Sequence, residues 1–140
     1  MKIKIIDGGK KPEYKTEQAA CADCSARLSV PYVVIPHGKR TLIPLGFALE
    51  LTEGLEAVIR PRSGLTSREI DVAQGTIDSD YRGELKACLI NNSEEDFTVF
   101  NLDRICQLKI QETKQFSFEI VEELSETKRG DGGFGSTGIK

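Results

Sequence analysis

Short apolar segments separated by turn residues dominate the chain, and most of them have the spacing of strands. Residues 116–120 read Phe-Ser-Phe-Glu-Ile, which alternates at a period of two, whereas a helical period survives for only one or two turns near residues 65–69. Segments rich in Val, Ile, Leu, Phe and Thr predict strands at residues 2–6, 27–30, 32–35, 41–45, 47–51, 55–60, 85–90, 97–100, 104–110 and 116–121. The pattern therefore predicts an all-β domain of the sandwich, jelly-roll or Greek-key barrel type.

The predicted domain ends before the last part of the chain. No internal repeat or linker divides residues 1–123, and residues 124–140 are predicted to form a separate C-terminal arm. Residues 128–138 carry five of the 13 glycines, which by itself predicts a flexible tail. The tail also holds Arg129 and Phe134. An arginine, an aromatic ring and glycine N–H groups are what a segment closing over a flat anionic ligand needs.

Charge and hydropathy argue against several classes of protein. The chain has 140 residues and a formal net charge of −3, whereas a general binder of nucleic acid or anionic membranes needs a basic surface. The longest apolar stretch, residues 42–49, contains Pro44 and Gly46 and is far shorter than the roughly 20 residues of a spanning helix. The amino terminus lacks the apolar core of a secretory signal. We therefore expect a cytoplasmic protein that binds neither membranes nor nucleic acid.

The single histidine and the four cysteines limit the chemistry further. His37 lies in a Pro-His-Gly sequence, which favours a surface turn over a catalytic role. Cys21 and Cys24 have the spacing of half a zinc site, but the other half is missing, since Cys88 and Cys106 lie singly in apolar runs. We expect reduced structural thiols, with zinc binding and redox chemistry as the alternatives. Any hydrolysis would depend on carboxylates, arginines and a bound metal.

Two polar segments are candidates for a site. Residues 60–65 read Arg-Pro-Arg-Ser-Gly-Leu and suit anion binding, although a solvated basic turn is the plain alternative. Residues 75–84 hold three acids, a tyrosine and an arginine, and predict a hairpin whose polar groups share one mouth. There Asp78 would be placed to activate a water and Tyr81 to pack against a sugar or base. An acidic turn or a weak cation site is the alternative for this segment.

These segments occur in the order expected of the trimeric dUTPases, and the chain resembles that family over nearly its whole length. The five motifs of the family correspond to residues 20–26, 61–65, 75–84, 103–108 and 129–138, of which the second, third and fifth match closely. The resemblance implies an all-β fold, a distorted jelly-roll or Greek-key barrel of the dUTPase type with a flexible glycine-rich C-terminal tail. It also implies a homotrimer whose sites are shared between subunits.

The resemblance further implies an activity, the hydrolysis of dUTP to dUMP and pyrophosphate, which limits uracil in DNA and supplies dUMP for thymidylate synthesis. Asp78 would deprotonate the water that attacks the α-phosphate, and Tyr81 would exclude a 2′-hydroxyl. Asp23 would orient water on a Mg²⁺ ion bound by the triphosphate. The other implied substrate-binding residues are Gly75, Thr76 and Ile77 at the uracil edge, Arg62, Ser63, Gly64 and Gln107 at the phosphates, Arg129 at the γ-phosphate, Phe134 over the uracil, and Gly135, Ser136 and Thr137 closing on the phosphates.

Four positions depart from the family pattern. Cys21 and Leu102 stand where the family usually has glycine, and Cys24 and Cys106 stand where it usually has leucine and alanine. If position 21 needs a positive φ, cysteine there costs about 1 kcal/mol of strain and disturbs the placing of Asp23.

Three other functions share this resemblance. A dCTP deaminase is similar in fold but converts the base, a bifunctional enzyme would do both reactions, and a non-catalytic trimer would bind nucleotide as a signal or dock a protein partner. The sequence Asp-Ser-Asp-Tyr-Arg-Gly at residues 78–83 favours hydrolysis over deamination.

Overall fold

A computed structural model describes residues 1–133 and contains eleven strands and one short helix in that range. The elements are β1 Lys2–Ile5, β2 Ala22–Ser25, β3 Tyr32–Ile35, β4 Arg40–Pro44, β5 Phe47–Glu50, β6 Leu55–Arg60, α1 Ser63–Thr66, β7 Ile70–Val72, β8 Gly75–Ile77, β9 Lys86–Asn91, β10 Phe97–Phe100 and β11 Arg104–Glu112. The all-β prediction is confirmed. The helical turn begins and ends a few residues earlier than the sequence period placed it.

The strands form four antiparallel sheets, of which the largest carries most of the site. Its strand order is β2-β11-β6-β8, and the other three sheets pair β1 with β5, β10 with β3, and β9 with β4 and β7. The nine-residue β11 lies in the middle of the large sheet, so β2 and β8 lie on its two outer edges. This order sets which polar side chains meet.

The three strands that the apolar pattern missed, β2, β7 and β8, are only three or four residues long. The prediction of a strand at residues 27–30 was wrong. There the N–H of Arg27 donates to the carbonyl of Pro44 and the N–H of Leu28 donates to the side-chain oxygen of Asn101, both at 2.8 Å. Because a loop partner and a side chain take these donors, residues 27–30 form no strand.

The strand predicted at residues 116–121 is also absent within this single chain. No strand follows Glu112 among the described residues, and the apolar side chains that give the segment its alternation face solvent. Phe118 is 96 % exposed and Ile120 is 100 % exposed. A strand needs a neighbouring edge to satisfy its backbone groups and a surface to cover its apolar face, and residues 1–133 of one chain provide neither for this segment.

One hydrophobic core draws side chains from all four sheets. Its largest fully buried members include Phe47, Ile35, Ile59 and Leu89. Asn91 is a fully buried polar residue whose side-chain amide donates to the carbonyls of Ile35 and Glu95 while its oxygen accepts from Ser93. The core therefore holds the strand ends that lead into the polar segments.

The cysteines are all unpaired thiols. Cys24 on β2 lies opposite Cys106 on β11 in the strand register, and both are buried, whereas Cys21 and Cys88 are partly buried. The hydrogen bond to Cys106 and then burial raise the pKa of Cys24 well above its ordinary value of 9.0. The Cys24 thiol is therefore protonated in the folded state at any pH near neutrality.

We expect this thiol to make the protein less stable at alkaline pH. Above pH 9 the unfolded chain releases the Cys24 proton and the folded chain retains it, so the free energy of unfolding falls as the pH rises, by up to about 1.4 kcal/mol per pH unit. Urea unfolding at fixed protein concentration should show the wild type losing about 1 kcal/mol more than Cys24→Ala between pH 8 and pH 10. Equal losses in the two proteins would contradict the assignment.

Backbone strain lies at a different position from the one expected. Among the described residues, the non-glycine positions with positive φ are Glu69 and Leu102, and Cys21 is not one of them. Leu102 has a φ of 71° and is one of the two positions where the family usually has glycine. The expected strain at Cys21 was therefore wrong, and Leu102 adopts the left-handed conformation instead.

His37 lies in an exposed turn after β3, as predicted, and its N–H donates to the Asp96 carboxylate. No helix in residues 1–133 is both long and apolar enough to cross a membrane.

Candidate functional site

The predicted hairpin places its functional residues around one cavity. Strand β8 pairs with β6, with Ile77 opposite Ala57 and Gly75 opposite Ile59, and the chain then turns through residues 78–83. The cavity has a volume of about 320 Å³ and is lined by Ile59, Gly75, Thr76, Ile77, Asp78, Tyr81, Glu84, Leu85 and Lys86. The structure therefore brings together all five residues that the sequence predicted for base, sugar and water.

Asp78 lies between this cavity and a larger one. The second cavity, of about 770 Å³, lies on the other side of the turn and is lined by Asp78 together with Asp80, Arg82, Glu53 and Glu56 among others. Asp78 is exposed, so its carboxylate is open to water and to a ligand. That accessibility is what a general base acting on a water molecule requires.

Tyr81 has a fixed place over the end of the hairpin. Its hydroxyl donates to the carbonyl of Glu84 at 3.3 Å, and its ring lies against Gly83. A Cβ at position 83 would be 2.3 Å from the Tyr81 hydroxyl oxygen and 2.5 Å from the ring carbon that carries it. Gly83 is therefore required for the position of the ring, a role that the sequence analysis did not give it.

We expect Gly83→Ala to displace Tyr81 and weaken sugar selection. The added methyl overlaps the ring, so the tyrosine has to rotate away from the cavity. The ratio of kcat/KM for dUTP to that for UTP should fall by about tenfold or more, since removing an exclusion contact of this kind is worth 1–3 kcal/mol. Steady-state kinetics with both nucleotides measure it, and an unchanged ratio would show that Gly83 does not position the ring.

A second polar cluster forms around Asp23 at the opposite edge of the large sheet. Asp23 is 8 % exposed and accepts hydrogen bonds from Arg104 at 2.9 Å and from Gln107 at 3.0 Å. A guanidinium nitrogen of Arg62 lies 3.6 Å from the same carboxylate, and another donates to the carbonyl of Arg104 at 2.7 Å. The pairing of β2 with β11 sets Asp23 opposite Gln107. Three of the residues predicted for phosphate and metal therefore meet here.

Arg104 is the member of this cluster that the sequence analysis missed. It lies in the fourth motif segment, but its ion pair with Asp23 joins residues 81 positions apart. With Arg62 it places two guanidinium groups on one carboxylate, which leaves the cluster with an excess of positive charge suited to an anion. Ser63 and Gly64 follow Arg62 directly and are exposed, so their polar groups border the same surface.

The two groups of residues lie apart within one chain. Three strand spacings separate β2 from β8 in the sheet order, which is about 14 Å across the sheet. None of Asp23, Arg62, Arg104 and Gln107 lines the cavity beneath Tyr81. The tail is a third part, since Arg129 is exposed and donates to the carbonyl of Gly132 within its own turn. Phe134, Gly135, Ser136 and Thr137 lie outside the described residues.

The donor set is that of a site for an ion that arrives with its ligand. Residues 1–133 hold no group of three or more His, Cys, Asp and Glu side chains placed to bind a metal. Asp23 is a single carboxylate, and both of its oxygens already accept hydrogen bonds. Mg²⁺ is usually bound through one or two carboxylates, waters and substrate phosphates, so the residues present fit a Mg²⁺ ion held by a phosphorylated ligand.

These observations define a class of protein. An all-β domain that presents an exposed carboxylate and a tyrosine at one cavity, and an arginine-flanked carboxylate elsewhere, is built to bind a phosphorylated compound and to activate water beside it. Comparisons with known proteins narrow this class.

The family model for dUTPase matches residues 8–138. The deoxyuridine 5'-triphosphate nucleotidohydrolase of Rickettsia bellii (strain OSU 85-389) is 46 % identical, covering 99 % of this chain and 95 % of that protein. The enzyme of the same name from Treponema denticola is 48 % identical, covering 97 % and 96 %. The chain belongs to the dUTPase family, as the order of its motifs indicated.

Solved structures share the fold. A dUTPase of Staphylococcus bacteriophage 80alpha, in a structure with dUpNHpp, superposes with a TM-score of 0.90 at 23 % identity, covering 99 % of this chain and 98 % of that one. The dUTPase from phage phi11 of S. aureus gives a TM-score of 0.81 at 18 % identity, with coverage of 90 % and 98 %. The dUTPase-type fold that the resemblance implied is therefore confirmed.

Proposed function

We propose that this chain hydrolyses dUTP to dUMP and pyrophosphate, with Asp78 as the general base that deprotonates the water attacking the α-phosphate. Family membership and two relatives of 46 % and 48 % identity that carry the activity in their names support the overall reaction. The single observation that carries the mechanism is the hairpin that presents Asp78 and Tyr81 to one cavity. The protein is accordingly a dUTP diphosphatase.

The cavity beneath Tyr81 is the proposed nucleoside pocket. The backbone of residues 75–77 offers donors and acceptors to the uracil edge, so cytosine would present a donor where the pocket also has one. Leaving buried polar groups unpaired discriminates by a factor of roughly 10⁴ or more, whereas a methyl group alone is worth about 10- to 200-fold. Tyr81 closes the side where a 2′-hydroxyl would lie. Uracil and deoxyribose are therefore selected by separate parts of the hairpin.

The cluster around Asp23 is the proposed triphosphate site. Arg62, Ser63, Gly64 and Gln107 would contact the phosphates, and Arg104 joins them because its guanidinium lies beside Asp23. Asp23 would hold water on a Mg²⁺ ion carried by the triphosphate. When bound, the ion neutralises phosphate charge. A structure of the phage phi11 dUTPase describes the coordination of a Mg(II) ion, which supports an ion of this kind in the family.

A homotrimer with shared sites accounts for three features of the single chain. The hairpin and the Asp23 cluster lie at opposite edges of one sheet. The alternating segment at residues 116–120 has no partner strand within residues 1–133 and exposes Phe116 and Phe118. Residues 124–140, the predicted arm, carry the fifth motif beyond the sheets. A neighbouring subunit would cover the segment and complete the site, with Arg129 at the γ-phosphate and residues 134–137 closing over the nucleotide.

The proposed role in the cell follows from the reaction. Removing dUTP limits the uracil available to DNA polymerases, and the product dUMP supplies thymidylate synthesis. We propose a cytoplasmic location, without binding to nucleic acid or membrane.

Assays with four nucleotides test the function. Pyrophosphate release should be rapid from dUTP and at least about 10²-fold slower, in kcat/KM, from dCTP, dTTP and UTP. Ammonia release from dCTP would identify a deaminase instead. Binding of dUTP without release of pyrophosphate in the presence of Mg²⁺ would identify a non-catalytic nucleotide-binding protein.

Tyr81→Ala is expected to relax sugar selection and leave base selection unchanged. Without the ring the space for a 2′-hydroxyl opens, so the kcat/KM for UTP should rise relative to that for dUTP by about 10-fold or more. The backbone of residues 75–77 is unaffected, so dCTP should still be rejected. Competition kinetics with UTP and dCTP measure both ratios, and continued rejection of UTP would assign sugar selection to another group.

A further inference from the structure

Arg82 binds the turn that carries both Asp78 and Tyr81. One of its guanidinium nitrogens donates to the carbonyl of Ser79 at 2.7 Å and to the carbonyl of Tyr81 at 3.1 Å. The two carbonyls lie just after Asp78 and at Tyr81 itself, so a single side chain joins the beginning of the turn to its end.

The turn has little else to hold it. Within it, the N–H of Tyr81 donates to the carbonyl of Asp78 at 3.2 Å, which is at the long end of the usual range. The hydroxyl of Tyr81 donates to Glu84 at 3.3 Å, also a long bond. The 2.7 Å bond from Arg82 is the shortest of the four and comes from a charged donor, and such bonds are roughly twice as strong as neutral ones.

The surroundings of Arg82 favour the charged side chain in this place. It lines the larger cavity with Asp78, Asp80, Glu53 and Glu56, so acidic groups surround the guanidinium. The planar guanidinium carries five donors in a fixed arrangement, which lets it bridge two carbonyls that a flexible ammonium would hold less firmly.

We propose that Arg82 is a positioning residue, whose guanidinium bridges the carbonyls of Ser79 and Tyr81 and thereby fixes the catalytic carboxylate and the sugar-selecting ring relative to each other. The inference rests on the roles proposed above for Asp78 and Tyr81. It predicts that one side chain that touches no substrate affects both the rate with dUTP and the rejection of UTP.

Arg82→Met removes the donors and keeps much of the apolar stem, while Arg82→Lys keeps the charge without the planar fork. The matched control is Arg40→Met, since Arg40 is an exposed arginine on β4, away from the hairpin. We expect Arg82→Met to lower kcat for dUTP by about tenfold and to lower the dUTP to UTP ratio of kcat/KM by about threefold to tenfold, because a small misplacement of catalytic groups costs up to about 10²-fold. Arg82→Lys should fall between Arg82→Met and the wild type, and Arg40→Met should match the wild type.

The selectivity ratio separates positioning from a loss of stability. A purely structural role would lower the melting temperature and reduce the rates with dUTP and UTP in equal proportion. If Arg82→Met keeps both kcat and the ratio within twofold of the wild type, or changes both nucleotides equally, the proposal is wrong. If Arg82→Met does not fold, Arg82→Lys decides by the same criteria.

Tyr81→Ala serves as the reference variant. If it loses UTP rejection and Arg82→Met does not, the positioning role fails while the proposed site stands. If Tyr81→Ala still rejects UTP, the role of Tyr81 fails, and Arg82 is then judged by kcat for dUTP alone. A tenfold loss of kcat in Arg82→Met, with Arg40→Met unchanged, would still support a hold on Asp78.

Discussion

Asp78→Asn is expected to reduce kcat for dUTP by about 10²–10⁴-fold and to change the affinity for nucleotide by only a few-fold. The amide occupies the same volume but cannot accept the proton of the attacking water. The carboxylate acts on water in the transition state more than on the bound nucleotide, so binding survives. Single-turnover rates and the Kd for a non-hydrolysable dUTP analogue measure the two effects. A kcat within threefold of the wild type would remove Asp78 from this role.

The same turn offers a matched control. Asp80 lies two residues further along, is also exposed, and lines the larger cavity but not the cavity beneath Tyr81. Asp80→Asn removes one negative charge from the turn, as Asp78→Asn does, so it accounts for any general electrostatic effect. We expect Asp80→Asn to keep kcat within a few-fold. Equal losses in both variants would assign the effect to charge rather than to a base.

The second large effect concerns assembly. One inactive chain carries Asp78→Ala, and another is truncated before Lys128 and so lacks the fifth motif; each alone should form inactive homotrimers. Refolding the two together should restore activity, because a hairpin from the truncated chain then meets a tail from the Asp78→Ala chain. Random equal mixing gives that combination at about a quarter of the sites.

Heterotrimers are confirmed by native mass spectrometry before activity is measured. Mixing the folded homotrimers without refolding is the control, since it should give no exchange and no activity. If hairpin and tail came from the same subunit, every site would lack one of the two, and confirmed heterotrimers would release no pyrophosphate. The shared-site proposal does not survive that result.

The local sequence predicted those elements whose partners follow from their own pattern. The bounds of β3, β6 and β10 are those that the apolar runs gave, because each contributes side chains to the core that the pattern requires. The hairpin at residues 75–84 was also predictable. Its glycines, acids and tyrosine are close in sequence, so the same short segment fixes their proximity.

The tertiary structure decided what depends on strand order and on distant partners. Arg104 was missed because its salt bridge to Asp23 arises only from the pairing of β11 with β2, and Gly83 and Arg82 were missed because their roles depend on where one ring and two carbonyls lie. The segment at residues 116–120 shows the converse, since its strand pattern has no edge to join within residues 1–133. Sequence by itself determined the all-β class, the family and the chemistry of each motif, because these follow from residue type and order along the chain. Which motifs of one chain meet was decided by the sheet order β2-β11-β6-β8, because the position of a strand in a sheet is set by pairing energies over the whole chain and not by its own residues.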